Sequence, residues 1–472
     1  MPHTRGNLQK HRKPDGRSRA PAYATAAVMG TGFVFSMAAN LPGTLSYDSV
    51  IQLLEGRTGV YSGWHPPVMS WLLGLSDWAM PGAALFVVAV ALLFFASLLS
   101  LLWLAPRISW TAPAVAALCM LMPQVVLYQG IVWKDVLFAD SAVAGFVALA
   151  HVSLHWGNSR ARYVLIAVAI LCLTLAALTR QNGIVLLPFG AFALGWLARR
   201  SGLSSRQAWT AAAAFCACAI VLAICASALF TLRTAPDRGA AKEIRILEFY
   251  DLIGGLSREP NLRLPELARR DHALLALMRS DGRTLYSPVR SDTLARSQRL
   301  QAALARAPDN ILHRPWLNFV LQNPSLYLRE RAEVFRWVFL TPDISICVPY
   351  VVGFRGPPQA MSDLGFSTRV SPRDKLMNRY GHALMRTPLF SHVTFLLLAI
   401  FEIGLLLWRR SAPDIAFASM LTGAIVFCAS FFFISLACDY RYFYVLDLTA
   451  LTALIYIALA PASPSLSRQS QS

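Results

Sequence analysis

Charge is scarce in this sequence. Only 14% of its 472 residues are Asp, Glu, Lys or Arg, against roughly 25% in an ordinary soluble domain, and 56% are hydrophobic. That balance excludes a soluble globular enzyme. Acidic residues are the scarcer sign, 25 against 43 Lys and Arg, for a formal charge of +18. Cysteine is sparse and lacks ligand spacing: of eight, only Cys347 stands clearly in a polar segment and Cys438 at the end of an apolar one. Nothing in the spacing supports a bridge between these two, so free, buried thiols are expected. Internal repeats are missing. The long polar segment 233–387 has no Gly-rich phosphate loop, no zinc-type His/Cys cluster and no nucleophile elbow, so it receives no chemistry of its own.

What the sequence does have is long apolar runs. Stretches such as 83–104, 208–232 and 412–437 reach the roughly 20 residues that carry a helix across a hydrocarbon core. The spans read as 22–40, 82–104, 111–129, 136–155, 163–180, 183–198, 208–232, 388–408, 413–437 and 442–460. The expected fold is therefore all-α and polytopic, with about ten transmembrane helices in a lipid bilayer and a mainly helical extracytoplasmic loop domain. Its parts are a basic cytoplasmic tail (1–21), an N-terminal transmembrane module (22–232) with a first outer loop (41–81), the loop domain (233–387), C-terminal transmembrane helices (388–460) and a disordered, Ser-rich cytoplasmic tail (461–472). The run after the basic N-terminal stretch is too long for a signal-peptide core and has no clean cleavage site, so it counts as a helix.

The basic residues fix orientation rather than a nucleic-acid partner, because they sit at span ends and do not interleave with aromatics. Loops on one side carry 15 of them, short loops on the other only Arg57, Lys134, Arg180 and Arg441, and the long segment holds the other 24. Both termini are accordingly expected in the cytoplasm of a cell whose inner (plasma) membrane holds the protein, with 233–387 outside. Counting 66–80 as a span would destroy this asymmetry, so it is expected to lie on the outer face as an interfacial helix. The stretch 324–340, where Leu326, Phe335, Trp337 and Phe339 mix with Arg329, Arg331 and Arg336, is expected at a membrane surface or domain interface.

Candidate chemistry gathers at outer span ends. In the first outer loop Ser46 can cap a short helix in which Asp48, Gln52 and Glu55 share one face and Val50, Leu53 and Leu54 cover another; Trp64, His65, Pro66 and Pro67 follow. Trp133, Lys134 and Asp135 open the fourth span, with Asp140 beyond. Arg180, Gln181 and Asn182 turn between the fifth and sixth, and Asp439, Tyr440, Arg441 and Tyr442 open the last. Each could be a helix-end anchor, but ionisable groups at membrane level are costly, and their placement toward one face points to a shared polar cavity. Glu402, inside the eighth span, fits no cluster.

This order of features resembles the GT-C superfamily of membrane glycosyltransferases: an Asp after span one, a His-Pro-Pro opening an interfacial helix, an acid at the start of span four, and a late Arg-Tyr pair. It is similar to the group of the aminoarabinose lipid A transferase and the protein O-mannosyltransferases, in a less-characterised bacterial branch. Many members carry Asp-Glu in the first loop, whereas here Ser49 follows Asp48. The resemblance implies transfer of a sugar, with inversion, from a polyprenyl-phosphate donor to an extracytoplasmic acceptor, which is a cell-surface glycan, lipid or protein. Such a reaction needs a base, cations for the leaving phosphate and a groove for the lipid. Asp48 is the expected base, His65 its orienting partner or that of the donor phosphate, and Lys134, Arg180 and Arg441 the phosphate ligands. Gln52, Glu55, Asp135, Asn182, Asp439 and Tyr442 are the supporting polar residues. One Asp with one His is too thin a ligand set to assign a metal, so a divalent cation stays open as a cofactor.

Two other classes fit part of the pattern. An O-antigen ligase or polymerase would share the lipid-linked sugar and the large outer loop but act on a diphosphate. A lipid or glycan transporter (flippase) would show repeated halves and midplane polar sites, where here the polar groups lie at outer span ends.

Overall fold

The computed structural model describes residues 19–62, 65–232 and 240–461. The basic tail before residue 19, Trp64 and the Ser-rich tail after Pro461 lie outside the described residues. Among the described residues nine helices are long and apolar enough to cross a membrane, or ten with one bent pair counted as a span, and the other described residues form shorter helices and loops. The spanning elements are α1 (Ala20–Asn40), α4 (Ala84–Ser100, extended by a short 3-10 turn), the bent pair that begins with α5 (Thr111–Met120), α6 (Lys134–Leu154), α7 (Ser159–Thr179), α8 (Leu186–Arg200), α9 (Ser205–Thr231), α14 (His392–Arg409), α15 (Asp414–Ile434) and α16 (Tyr444–Leu459). Between α1 and α4 lie α2 (Tyr47–Thr58) and α3 (Pro67–Ala79). The outer segment contributes α10 (Ala240–Arg258), α11 (Pro265–Arg270), α12 (His313–Gln322) and α13 (Pro324–Leu340), among shorter helices.

The expected straight span 111–129 is instead broken, with a bend of 62° between Thr111–Met120 and Pro123–Gly130. Pro123 has no N–H to continue α5 and drives Met122 into an extended conformation (φ −69°, ψ 143°). A break at membrane depth frees carbonyls, and neighbours take them up. Asn40 Nδ2 donates to the Val126 carbonyl at 2.7 Å and the Tyr444 hydroxyl to that of Gln124 at 2.9 Å.

α6 is the hub, buried along almost its whole length and flanked by α4, α7, α8, α15 and α16. The two ends of the bundle are chemically distinct. At one, the Ser109 amide donates to Leu459, Arg200 reaches the Arg410 carbonyl and Arg409 pairs with Asp414 at 2.6 Å. At the other end stand the first loop, the start of α6, the α7–α8 turn and the start of α16, together with the outer segment.

α3 has only 13 residues, about 20 Å at 1.5 Å per residue, which is too short to span. It exposes Trp71, Leu75 and Trp78, as an interfacial helix would. α2 and α3 cross where Gly56 meets Gly74: a Cβ on Gly56 would stand 2.1 Å from the Ser70 carbonyl oxygen, and one on Gly74 2.2 Å from that of Gly56. Only glycines let the backbones approach so closely.

The outer segment has two parts. α10 to α13 enclose a core of their own around Phe249, Ile253, Leu256 and Phe319, while the chain beyond α13 packs on the bundle, for example through Ala360, Met361 and Met377. α13 joins the two, with Val334 in the outer core and Phe335 and Phe339 against Phe443. Its Arg331 lies at the interface between the two. It is fully buried, 2.9 Å from Asp251 and donating to the carbonyls of Phe432 and Ser435.

Cys347 and Cys438, expected as free thiols, form a disulfide with Cα atoms 4.9 Å apart. The fold brings the end of α15 against the outer segment, a proximity that sequence spacing does not encode.

Candidate active site

The site is assembled from four stretches of chain. α1 stops at Leu41, held extended before Pro42, and the first loop then runs beside the approach to α6. The Thr44 amide donates to Gly130 at 2.8 Å and the Val132 amide to Thr44 at 3.0 Å. Ser46 and Ser49 form a capping box at the start of α2. Trp133 Nε1 donates to Ser46 Oγ at 3.0 Å, and Ser49 Oγ to the Val132 carbonyl. These bonds fix the first turn of α2, and with it Asp48, next to Lys134 and Asp135.

Arg441 comes from the 3-10 turn Tyr440–Phe443 that precedes α16. Its Nη2 donates to Asp48 Oδ2 at 2.7 Å and to Asp439 Oδ2 at 3.2 Å, and its Nε lies 3.8 Å from Asp135 Oδ2. The guanidinium stacks over Trp133, 5.0 Å from the ring centroid. Arg180, ending α7, is paired with Asp135 and boxed in by Phe431 and Tyr442. The Tyr442 ring stacks on Phe431.

His65 is buried, with Nε2 3.8 Å from Asp48 Oδ1 and Nδ1 3.4 Å from Lys134 Nζ. An ammonium can only donate, so Nδ1 accepts and the ring carries its proton on Nε2, toward Asp48. Burial, reinforced by the Lys134 charge and only partly countered by Asp48, pushes the His65 pKa down to about 3. The imidazole is therefore neutral at physiological pH. Burial pushes the Asp48 carboxyl up, but the charge and hydrogen bond of Arg441, with Lys134 behind, outweigh it and hold the group below its ordinary value. Asp48 is thus an ionised carboxylate, and its side chain keeps 28% of its surface exposed where those of His65, Arg441 and Asp135 keep 8%, 11% and 2%.

Of the expected site residues, the structure brings Asp48, His65, Lys134, Asp135, Arg180, Asp439, Arg441 and Tyr442 together. Three others are placed elsewhere. Gln52 is on the buried side of α2. Glu55 faces α3, accepting from the Ser62 amide at 2.9 Å and Ser70 Oγ at 2.8 Å. Asn182 donates to Ser430 Oγ at 2.9 Å and braces α15. Asp140 lies below the cluster, accepting from Gln129 at 3.0 Å, and Glu402 is buried in α14 with neither carboxylate oxygen hydrogen-bonded. Nothing in the structure gives Glu402 a role.

Sequence reasoning missed Arg290. It reaches from the outer segment to within 4.0 Å of Asp439 and donates to the Ile346 carbonyl at 2.5 Å, beside the disulfide. Nothing distinguishes it in sequence from the other basic residues of that segment. With it, the cluster sets Lys134, Arg180, Arg290 and Arg441 against Asp48, Asp135 and Asp439. Lys134 has no carboxylate within 4.0 Å among the described residues, and Asp48 and Glu243 act on it from farther away. A basic side chain without a close carboxylate at membrane level leaves room for an anionic partner.

Among the described residues no three His, Cys, Asp or Glu side chains converge on one point, and one oxygen of Asp48 is already taken by a guanidinium.

No protein-family profile matches the sequence, and no characterised protein matches it. Among solved structures, two are similar to it. One is the archaeal oligosaccharyltransferase AglB from Archaeoglobus fulgidus in complex with an inhibitory peptide and a dolichol-phosphate, and the other an Archaeoglobus fulgidus oligosaccharyltransferase in the apo form. Their TM-scores are 0.41 and 0.42, each at 13% identity over 92% of this chain and 50% of theirs. The chain thus spans half the length of the proteins it matches.

Proposed function

We propose that this protein is a membrane glycosyltransferase that moves a sugar from a polyprenyl-phosphate carrier to an extracytoplasmic acceptor, with inversion at the anomeric carbon. The observation that carries the reading is the pairing of a partly exposed, ionised Asp48 with Arg441, beside Lys134 and Arg180, at one end of an apolar bundle. Asp48 accepts the proton of the acceptor hydroxyl while the oxygen attacks the anomeric carbon. The bond from that carbon to the phosphate oxygen breaks, and its electron pair leaves on the phosphate.

The cations divide the work differently from the sequence expectation, in which all three bound phosphate. Arg441 touches Asp48 directly, so it keeps the base ionised and lends its remaining donors to the ligand. Arg180 is neutralised by Asp135 and shapes the wall. Lys134, on the far side of the His65 ring from Asp48, is the cation free to stabilise the leaving phosphate. His65 spaces the two and directs its Nε2–H at Asp48.

The reading is tested by mass spectrometry of surface glycans and polyprenyl-phosphate sugars in wild-type and deletion strains. Loss of one glycan substituent with accumulation of its lipid-linked donor is expected. Unchanged glycans with an unchanged donor pool would contradict it.

A further inference from the structure

A cavity lies away from the Asp48 cluster, in the outer segment between α11 and α12. Its volume is about 470 Å³, and Arg269, Arg270, Asn310, His313 and Arg314 line it with Glu266. A second hollow of about 170 Å³ adjoins it, sharing Glu266 and Arg269 and adding Arg263. The combined groove is of the size that holds small ligands, but its lining is charged rather than apolar.

The charge is strongly one-sided. The carboxylates nearest the groove are already engaged: Glu266 accepts from Asn318 at 3.0 Å, Asp309 pairs with Arg245 at 2.8 Å, and Glu248 with His313 at 2.7 Å. Among the described residues none of Arg263, Arg269, Arg270 and Arg314 makes an ion pair, and only Arg270 has a side-chain partner, Asn310 at 3.3 Å. Three guanidiniums around the larger hollow, with Arg263 at the adjoining one, repel one another, and a ligand with several anionic oxygens relieves that repulsion through charge-assisted forks. The polar amide of Asn310 beside them suits hydroxyl groups. No large aromatic platform or apolar patch lines the larger hollow, which disfavours a lipid tail there.

We propose that the α11–α12 groove binds a phosphate-bearing saccharide. The assignment is independent of the Asp48 chemistry, since α12 meets that cluster only indirectly, through α13. The site holds whether or not the bundle transfers sugar.

The test uses the full-length protein in phosphatidylcholine nanodiscs at low salt, with isothermal titration of glucose 6-phosphate, inorganic phosphate and glucose. Glucose 6-phosphate should bind most tightly and glucose not measurably. R269A/R314A should weaken glucose 6-phosphate binding at least about tenfold, the loss of one charge-assisted hydrogen bond or more. R329A, which removes an exposed arginine outside the groove, should leave it unchanged. Both groove arginines are exposed, so the double variant keeps its packing. Equal weakening by R329A, or equal binding of glucose and glucose 6-phosphate, would overturn the proposal. Loss of glucose 6-phosphate binding in nanodiscs containing phosphatidylglycerol would also overturn it, because the groove would then belong to a lipid headgroup.

Discussion

Arg441 Nη2 lies 2.7 Å from Asp48 Oδ2, although 393 residues of chain separate them. The contact joins the loop after the first span to the turn before the last one, and it is the closest ion pair that Asp48 makes. It accounts both for an ionised carboxylate in a mostly buried setting and for the sensitivity expected of this pair.

Arg441→Ala should therefore damage two functions together, the ionisation of Asp48 and the binding of donor. kcat/KM should fall by at least about 10², corresponding to roughly 3 kcal/mol of lost charge-assisted bonding. Arg441→Lys should recover only part of it, since a point charge cannot bond Asp48 and Asp439 in the same fork. Steady-state kinetics with a synthetic donor check this. Unchanged donor binding and turnover in Arg441→Ala would remove Arg441 from the site.

The pH dependence follows from the shifts at His65 and Asp48. An unfolded chain protonates its imidazole near 6.5, whereas folded His65 resists until about 3, so acidification through that window binds protons to the unfolded state and destabilises the fold. Asp48 adds a second loss. Its ion pair stabilises the fold above the ordinary aspartate value of 3.8, and that contribution disappears as pH falls through the depressed value. Thermal unfolding between pH 7 and 4 should show a stability loss that His65→Gln reduces. The acid limb of kcat/KM should show no inflection near 6.5; one there would mean that His65 titrates in the working enzyme.

Glu55 and Asp48 share a helix but not a task. Glu55→Gln removes charge from two buried hydrogen bonds between α2 and the chain leading through α3, and should lower stability by about 1–3 kcal/mol. Turnover per folded molecule should remain close to wild type. Denaturant melts alongside activity normalised to folded protein separate the two effects. A larger loss of turnover at Glu55 than at Asp48 would exchange their roles.

Gly56→Ala should be harmful, because the added methyl meets the Ser70 backbone carbonyl rather than a movable side chain. Forcing α2 and α3 apart should cost about 1–3 kcal/mol and tilt the helix that carries Asp48, so both stability and turnover should drop. Wild-type melting and turnover in that variant would show that the crossing is looser than described.

Much of this arrangement is legible in the sequence, for identifiable reasons. Span positions are written in runs of apolar residues, and nine of ten survive as single helices. Pro123 was visible too, yet a hydropathy window averages over the break that it causes. The cluster was legible as a set because ionisable residues are rare at membrane level, so Asp48, Lys134, Arg180 and Arg441 stood out. Who pairs with whom was not. The Asp48–Arg441 contact, the enclosure of Arg180 by Asp135 and aromatic rings, and the Cys347–Cys438 bridge depend on how helices distant in sequence pack. Arg290 was invisible because one useful arginine among many surface arginines carries no pattern.

Orientation in the membrane is tested by cysteine-accessibility labelling in intact cells. Ser280, Ser362, Ser159 and Ser411 are all exposed on the protein, so single cysteines there report membrane sidedness rather than burial. Probes at 280 and 362 should react from outside and those at 159 and 411 should not. External labelling at 159 would reverse the topology and put the cluster in the cytoplasm.

The central claim, Asp48 as the base of an inverting sugar transfer, is tested most directly by one assay. Purified wild-type and Asp48→Asn protein are given a synthetic polyprenyl-phosphate sugar and an acceptor, and the anomeric configuration of the product is read by NMR. Asparagine keeps the shape and can still meet Arg441 through its carbonyl, but it cannot take the proton, so transfer should fall by about 10² to 10⁴ while the variant folds and inserts normally. The wild-type product should have inverted configuration. Retained configuration, or near-normal transfer by folded Asp48→Asn protein, would contradict the account.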